Sequence, residues 1–354
     1  MLNWARVLNT VTARYIKGQI DNVSKRRRLL GAIQKRGKIV KRKGGTLLDF
    51  KVKYAQKDLF TLNDPADMGN PDRSNKHKTA QLPWTALAMT ESITKYEELV
   101  ASGPEAVVNL ASDYTKSLYK DFEDRFSDEL YLDNSVSANT DHLIGFNSAL
   151  SYSGADSNGY IAVANDTYAS LQCALGYYGG SWTGNYPAGY GDPEYHFWSP
   201  LIVDYTDTAW TAGATFAANC IESMRYGIMN IEKKANMIDF IILEADMFRS
   251  WLNKQDDKER SQVSRSDKDE VYFGYGHEVQ YFDGVPVTWE HGVPASSGYG
   301  FKMDDIELYS LQDQLFKPQE VDWSFRSQAK RMAIDFYGQL KFNPFSLLHF
   351  KNVT

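Results

Sequence analysis

The most regular pattern of apolar and polar positions lies between residues 46 and 94. From residue 48 to 54 every second side chain is apolar, and Asp49, Lys51 and Lys53 occupy the positions between them. A polar stretch rich in turn-forming residues follows, and the alternation then resumes on the way back to residue 94. A period of two predicts strands, so this segment predicts a two-stranded hairpin with one apolar face. The side chains predicted for that face are Leu48, Phe50, Val52, Tyr54, Leu82 and Trp84.

The apolar face of this hairpin needs a cover. A hairpin that stands alone is marginal in water because one of its faces stays wet. We therefore expect the face to be buried against another chain. A lid that closes over its own chain is the alternative interpretation.

A helical pattern of apolar positions runs from residue 103 to 132. Pro104 suits the first turn of a helix, Glu105 complements the helix dipole, and apolar side chains recur at spacings of three and four from Val107 to Leu130. At ~1.5 Å per residue such a helix is about 43 Å long, well above the usual length. So long a rod favours an elongated domain.

The remaining segments mix helical and extended patterns, which indicates the α+β class. The tail, residues 320–354, is too apolar to lie free in solution, and we expect its strand to pair beside the long helix. The other predicted elements are helices over 4–16, 166–174, 208–229 and 246–252 and strands over 237–243, 279–281 and 285–289.

Charge is divided unevenly along the chain. The first 53 residues contain fifteen Lys or Arg and two acids, a balance of +13, whereas the whole chain is at -6, so residues 54–354 sum to -19. Residues 1–45 form an arm that interleaves cations with short apolar patches and glycines, so we expect the body to fold without residues 1–43. A cationic arm beside an acidic body predicts contact with a polyanion or with a neighbouring copy. The arm residues predicted to make this contact are Lys25, Arg26, Arg27, Arg28, Arg42 and Lys43.

Composition narrows the remaining possibilities. A chain of 354 residues with 43% apolar content can hold about two domains with a real core. The longest apolar run, around residues 237–245, is shorter than the ~20 residues that a membrane span needs, and no signal-peptide pattern opens the chain. Cys173 and Cys220 lie in apolar segments, which predicts reduced, buried thiols and an intracellular compartment.

Sequence motifs of catalysis are missing. The chain has no phosphate-binding glycine loop followed by Lys and Ser or Thr, and Gly274 and Gly276 lack the third glycine of a dinucleotide fingerprint. It also has no zinc-binding helix and no Gly-x-Ser-x-Gly turn. We therefore predict no catalytic, cofactor-binding or metal-binding residues, no cofactor and no enzymatic activity.

Two other functions stay open at this stage. A nucleic-acid-binding protein would use the basic arm, and its affinity for DNA would fall steeply with salt. A carbohydrate-active protein would use the loop 176–200, which is crowded with Tyr, Trp and Gly, because glycosidases need two facing carboxylates. The carboxylates within or just after that loop are Asp192, Glu194, Asp204 and Asp207.

The order of the segments resembles the major capsid proteins of tailed bacteriophages, whose fold encapsulins share. The resemblance covers nearly the whole chain. In the arm it is carried by Asn9-Thr-Val, Asp21-Asn-Val and Gly44-Gly-Thr46, and then by the hairpin 46–94 and the helix 103–132. In the second half it is carried by Phe197-Trp-Ser-Pro200, the run from Ile238 to Phe248, the run from Phe282 to Glu290, and Tyr337-Gly-Gln-Leu340.

This resemblance implies an elongated α+β fold. The implied parts are an N-terminal arm (1–45), an extended two-stranded loop (46–94), a peripheral domain with a long spine helix (95–140), an axial domain (141–310) and a return to the peripheral domain (311–354).

The same resemblance implies a structural protein that assembles into an icosahedral head around double-stranded DNA. Its implied partners are other copies of itself in hexamers and pentamers, a portal, a possible decoration protein and packaged DNA bound non-specifically, with no membrane. Because the sequence begins at the arm, we expect any scaffolding protein to be separate. The implied location is the virion, after assembly in the host cytoplasm.

Overall fold

The computed structural model describes residues 27–54, 77–96, 104–155, 160–181, 195–210, 212–233, 237–256, 280–313, 315–319, 322–324 and 329–353. Its helices are α1 (Arg28–Lys35), α2 (Pro104–Glu129), α3 (Phe216–Lys233) and α4 (Ala245–Asp256). The strands of the first half are β1 (Ile39–Lys41), β2 (Leu47–Lys53), β3 (His77–Pro83), β4 (Thr85–Thr94), β5 (Tyr152–Ala155), β6 (Ile161–Ala164), β7 (Thr167–Tyr168) and β8 (Leu171–Gln172). Those of the second half are β9 (Leu201–Asp204), β10 (Phe240–Leu243), β11 (Gln280–Phe282), β12 (Val285–Trp289), β13 (Ser297–Phe301), β14 (Glu307–Ser310), β15 (Lys317–Pro318), β16 (Asp322–Ser324), β17 (Ala329–Lys341) and β18 (Leu348–Lys351).

A six-stranded sheet is built around the long strand β17. Along most of its length β17 pairs antiparallel with β4, and on its other edge it pairs with β14, which in turn carries β1 in parallel. The short strands β15 and β16 also pair with β17. The sheet therefore joins the arm, the first third of the chain and the tail.

The long helix α2 packs on this sheet through a cluster of aromatic rings. Phe126 lies edge-on to Phe336 of β17, with ring centroids 4.8 Å apart, and both Phe122 and Phe126 contact Phe316 at 5.0 Å. The helix has 26 residues, about 39 Å at ~1.5 Å per residue. The predicted long helix is confirmed, and so is the pairing of the tail beside it.

An eight-stranded sheet forms the second half of the fold, in the order β11-β12-β10-β13-β18-β9-β6-β5. All four residues of β9 and of β10 are buried. In β10 Ile241 and Leu243 pack in the cluster that contains α3 and α4, whereas Phe240 and Ile242 pack in the main core on the opposite face. A strand that is buried on both faces has a continuous run of apolar residues. The run in β10 is the reason that the strand could be predicted from the sequence.

Two predicted helices are wrong in detail. Residues 166–174 form the short β7-β8 hairpin instead of a helix, and the helix predicted over 208–229 begins only at Phe216. The helix predicted over 4–16 lies outside the described residues.

Two predicted strand placements are also wrong. The hairpin ends at Pro83, because residues 85–94 form β4 and pair with β17 rather than with the outgoing hairpin strand. The last strand, β18, lies between β13 and β9 in the eight-stranded sheet rather than in the sheet beside α2. Alternation identifies strands in both places, but it carries no information on which strand is the neighbour.

Candidate assembly surfaces

The two strands of the hairpin separate their side chains cleanly between two faces. Every residue at an odd position from 47 to 53 and from 77 to 83 is exposed, and every residue at an even position from 48 to 54 and from 78 to 84 is buried or half-buried. The strands pair antiparallel in one register, from Leu47 opposite Pro83 to Lys53 opposite His77. The predicted apolar face is therefore confirmed as a single face.

The cover of this face comes from the same chain. Leu48 and Leu82 are 2% and 0% exposed within the main core. Further out, the ring centroid of Phe50 lies 6.3 Å from that of Trp198. Val52, Tyr54 and Trp84 also pack against the core and are half-buried.

The prediction that another chain buries this face is wrong for Leu48 and Leu82, because their side chains are already almost fully buried within their own chain. The physical reason is that the segment around Phe197 and Trp198 supplies the apolar cover, and the period of a strand does not show where its cover comes from. For Phe50, Val52, Tyr54 and Trp84, which are half-buried, contact with another chain stays a prediction.

A lysine from the six-stranded sheet also holds the hairpin. The Nζ atom of Lys341 lies 5.1 Å from the ring centroid of Phe50 and 2.7 Å from Glu307 Oε2. Burial alone would raise the pKa of the Glu307 carboxyl, but the Lys341 ammonium brings that pKa below its ordinary value. The hairpin base is thus fixed to β17 as well as to the segment around Trp198.

The root of the hairpin is held by the buried side-chain amide of Gln339, which was not predicted from the sequence as a functional residue. Gln339 of β17 is fully buried, and its Nε2 donates to the carbonyl oxygen of Pro83 at 2.9 Å and to Thr85 Oγ1 at 3.2 Å. Its Oε1 accepts from the backbone N–H of Ile144 at 3.3 Å. These bonds hold the point where the chain leaves the hairpin and enters β4.

The opposite face of the hairpin is exposed. Leu47 is 37% exposed near the root. Toward the distal end the exposed side chains become cationic, with Lys53 directly opposite His77 and Lys51 one step nearer the root.

The described part of the arm is an integral part of the fold. In α1 six consecutive residues are buried, from Arg28 to Ile33. The helix ends at Gly37, whose positive φ of 66° lets the N–H of Lys38 reach back to the carbonyl oxygen of Ile33 at 2.9 Å. The chain then enters β1 and pairs with β14. Leu29, Leu30 and Ile33 therefore fill the core of the body, which argues against the expectation that the body folds without residues 1–43.

A buried carboxylate anchors the start of α1 to two other parts of the chain. Glu290 accepts from the N–H of Leu29 at 3.1 Å and from the hydroxyl of Ser127 on α2 at 2.8 Å. Burial raises the pKa of the Glu290 carboxyl, and these two hydrogen bonds, with Arg27 and Arg28 nearby, oppose the rise. Arm, long helix and eight-stranded sheet meet at this residue.

Two of the arm cations are used inside their own subunit. Arg28 donates to Thr288 Oγ1 and, at 2.7 Å, to the carbonyl oxygen of Trp289, whose ring lies 5.0 Å away. Arg27 pairs with Asp124 at 2.7 Å. The prediction that Arg28 contacts another subunit is wrong, because its side chain is buried within its own chain. For Arg27, which lies beside an open groove, such contact stays a prediction.

The contacts of the other four arm cations stay predictions. Lys25 and Arg26 lie outside the described residues. Arg42 is half-buried and Lys43 is exposed, and their contact with a neighbour stays a prediction.

An open groove lies beside Arg27, with a volume of about 710 Å³. Its walls carry charges of both signs, so it favours neither a polyanion nor a polycation. The residues that line it are Arg27, Met89, Asp121, Asp124, Arg125, Asp128 and His291.

The two cysteines are buried, as predicted, and Cys173 and Cys220 are not joined in a disulfide. Burial raises the pKa of the Cys173 thiol. Across the described ranges no three His, Cys, Asp or Glu side chains come together as metal ligands would. None of the described helices has the length and apolar character needed to cross a membrane.

The loop 176–200 is described only in part, and Asp192 and Glu194 lie outside the described residues. Two of its described rings, those of Phe197 and Trp198, are buried in the core, and the ring of Tyr178 meets that of Phe197 edge-on at 5.1 Å.

No family model matches the sequence, and no curated protein matches it. Solved structures do match its fold. A chain of the cyanophage A-1(L) capsid asymmetric unit is 15% identical, with 90% of each chain covered and a TM-score of 0.56. A chain of the capsid of the native GTA particle is 11% identical, with 91% of this chain and 90% of that chain covered and a TM-score of 0.51. At these identities the likeness shows the fold, and the α+β fold expected from the sequence is the fold of these capsid chains.

Proposed function

We propose that this chain is a major capsid protein, the subunit of an icosahedral head that encloses double-stranded DNA. The observation that carries the proposal is a likeness of fold over about nine tenths of both chains to subunits of two capsids. A match of that extent spans most of the chain and not merely a common core motif. The protein is accordingly proposed to act as a structural component rather than as an enzyme.

The geometry of the described residues fits this role. The hairpin is fixed to its own body by one face and keeps its other face free of its own chain over two seven-residue strands. Such a surface suits contact with a second copy, because a regular, rigid face loses little conformational entropy when it binds. The cationic distal end of that face, with Lys51 and Lys53, fits a chain whose residues 54–354 carry a charge of -19.

The proposed partners follow from a closed shell. The chain would bind other copies of itself in hexamers and pentamers, and it would meet a portal, a separate scaffolding protein and possibly a decoration protein. Packaged DNA would be bound non-specifically, and the acidic body would limit that binding. Arg42 and Lys43, with Lys25 and Arg26, are proposed to contact neighbouring subunits or DNA. The proposed location is the virion, with assembly in the host cytoplasm.

The two alternative functions gain no support from the described residues. Arg27 and Arg28 of the arm are occupied within the chain, and the rings of Phe197 and Trp198 pack in the core instead of lining an open carbohydrate site.

Sedimentation of the purified chain, followed by negative-stain microscopy of the fast fraction, tests the proposal. We expect closed particles of uniform diameter, formed without DNA. A chain that stays monomeric at every protein and salt concentration, and that binds DNA with an affinity that falls steeply with salt, would favour the nucleic-acid-binding alternative.

A further inference from the structure

The distal end of the described hairpin rests on the body through a few aromatic contacts. Lys53 and His77 form the last pair of the register, and Tyr54 follows directly. The ring of Tyr54 meets that of Phe197 edge-on, with centroids 5.7 Å apart. This end lies beyond Ala80, which is fully buried, so its position depends on the contacts that Val52, Tyr54 and Lys78 make with the body.

Lys78 of β3 adds a charge to this aromatic group. Its Nζ atom lies 5.2 Å from the ring centroid of Tyr54 and 5.6 Å from that of Tyr178. A cation within about 6 Å of a ring face is attracted by the ring's quadrupole. Tyr54 belongs to the hairpin and Tyr178 to the body, so the ammonium group links the two.

Tyr178 is itself held in place. Its hydroxyl oxygen accepts from the backbone N–H of Gln172 at 2.7 Å, and its ring meets Phe197 edge-on at 5.1 Å. Gln172 is paired in the short β7-β8 hairpin. The body side of the contact is therefore a fixed platform, so movement at this contact requires the hairpin to move.

We propose that Lys78, held between Tyr54 and Tyr178, fixes the angle of the hairpin on the body, and that shell assembly depends on this angle. The inference rests on the proposed function, because the angle matters only when the exposed face must meet a second copy. Lys78 and Tyr178 are positioning residues, since both act through the hairpin.

The expected size of the effect follows from the contact. Loss of one partly exposed cation–π contact corresponds to a change of about two- to five-fold in the population of the held position. A closed shell requires the correct angle in every subunit, so shell yield falls by more than that factor.

The test compares Lys78→Met with Lys78→Arg, and Tyr178→Leu with Tyr178→Phe. The first variant of each pair removes the attraction, whereas the second keeps the cation or the ring face. Tyr96→Leu is the matched control, because it makes the same chemical change at a tyrosine that is 76% exposed and lies outside the two hairpin strands. Hydrogen exchange of residues 77–83 is measured in the unassembled chain, and shell yield is measured by sedimentation.

We expect Lys78→Met and Tyr178→Leu to exchange about two- to five-fold faster and to lose most of their shells. The two conservative variants and Tyr96→Leu keep both properties. Unchanged exchange in Lys78→Met, or faster exchange with an unchanged shell yield, overturns the inference. If the unmodified chain forms no shells, the proposed function fails, and the exchange rates still decide whether Lys78 holds the hairpin.

Discussion

Replacement of Leu30 by Ala tests whether the arm is part of its own subunit's core. Leu30 lies in α1, is 1% exposed and belongs to the main core cluster. Truncation of a buried leucine to alanine removes its transfer free energy and leaves a cavity, at a cost of about 2–5 kcal/mol. This is a large part of the roughly 5–15 kcal/mol by which folded domains are stable.

Leu47→Ala is the matched control, because it makes the same chemical change at a leucine that is 37% exposed. We expect it to cost less than about 1 kcal/mol. Urea unfolding of the unassembled subunit measures both variants. With a slope of about 3 kcal/mol/M, Leu30→Ala lowers the midpoint by roughly 1 M, and Leu47→Ala lowers it by less than ~0.3 M. Equal shifts would refute the reasoning, since they would mean that α1 does not pack in the core of its own subunit.

Three further predictions concern the arm, the six-stranded sheet and a buried histidine. Deletion of residues 1–36 removes α1, and with it Leu29, Leu30 and Ile33 of the core, and unfolds the subunit, which far-ultraviolet circular dichroism measures; a folded product would contradict this. Gly338→Ala yields insoluble subunit, because a Cβ atom there would lie 2.1 Å from the carbonyl oxygen of Tyr309. Soluble protein with an unchanged melting temperature would show that β14 and β17 can move apart far enough to accept the added methyl group. Burial, with a smaller effect of Lys351, lowers the pKa of His349 from its ordinary 6.5 to about 3. Between these pH values the unfolded chain binds more protons than the folded chain. The free energy of unfolding is therefore about 2 kcal/mol lower at pH 5 than at pH 7.5. His349→Phe keeps a ring stacked on Tyr299 and loses this part of the pH dependence, which melting temperatures at pH 7.5 and pH 5 would reveal.

The elements with a strong period were predictable from the sequence. The helix α2 has Pro104 in its first turn and a long apolar stripe, and tertiary packing follows the same stripe through Phe122 and Phe126. The hairpin face was predictable for the same reason, because successive side chains of a strand point to opposite faces.

The partner of each face was not predictable. The density of cations around Arg27 and Arg28 favoured contact with another subunit, yet Asp124 and Glu290, 97 and more than 250 positions away, supply the negative charge. The same limit applies to Leu48 and Leu82, whose cover is the same chain.

The structural roles of buried polar residues are the hardest to predict from a sequence. Gln339 lies in a strand whose other residues are mostly apolar, and Glu290 follows a buried strand, so neither is distinguished by period or motif. Their roles depend on hydrogen bonds to residues that are distant in the chain, such as Pro83 for Gln339 and Ser127 for Glu290.

A cryo-electron microscopy reconstruction of the particles formed by the purified chain tests the central claim most directly. We expect a closed icosahedral shell in which the exposed face of the hairpin, with Lys51 and Lys53, lies against an adjacent copy, while α1 stays packed in the core of its own subunit. Particles without icosahedral symmetry, or a shell in which that face of the hairpin contacts no other copy, would contradict it.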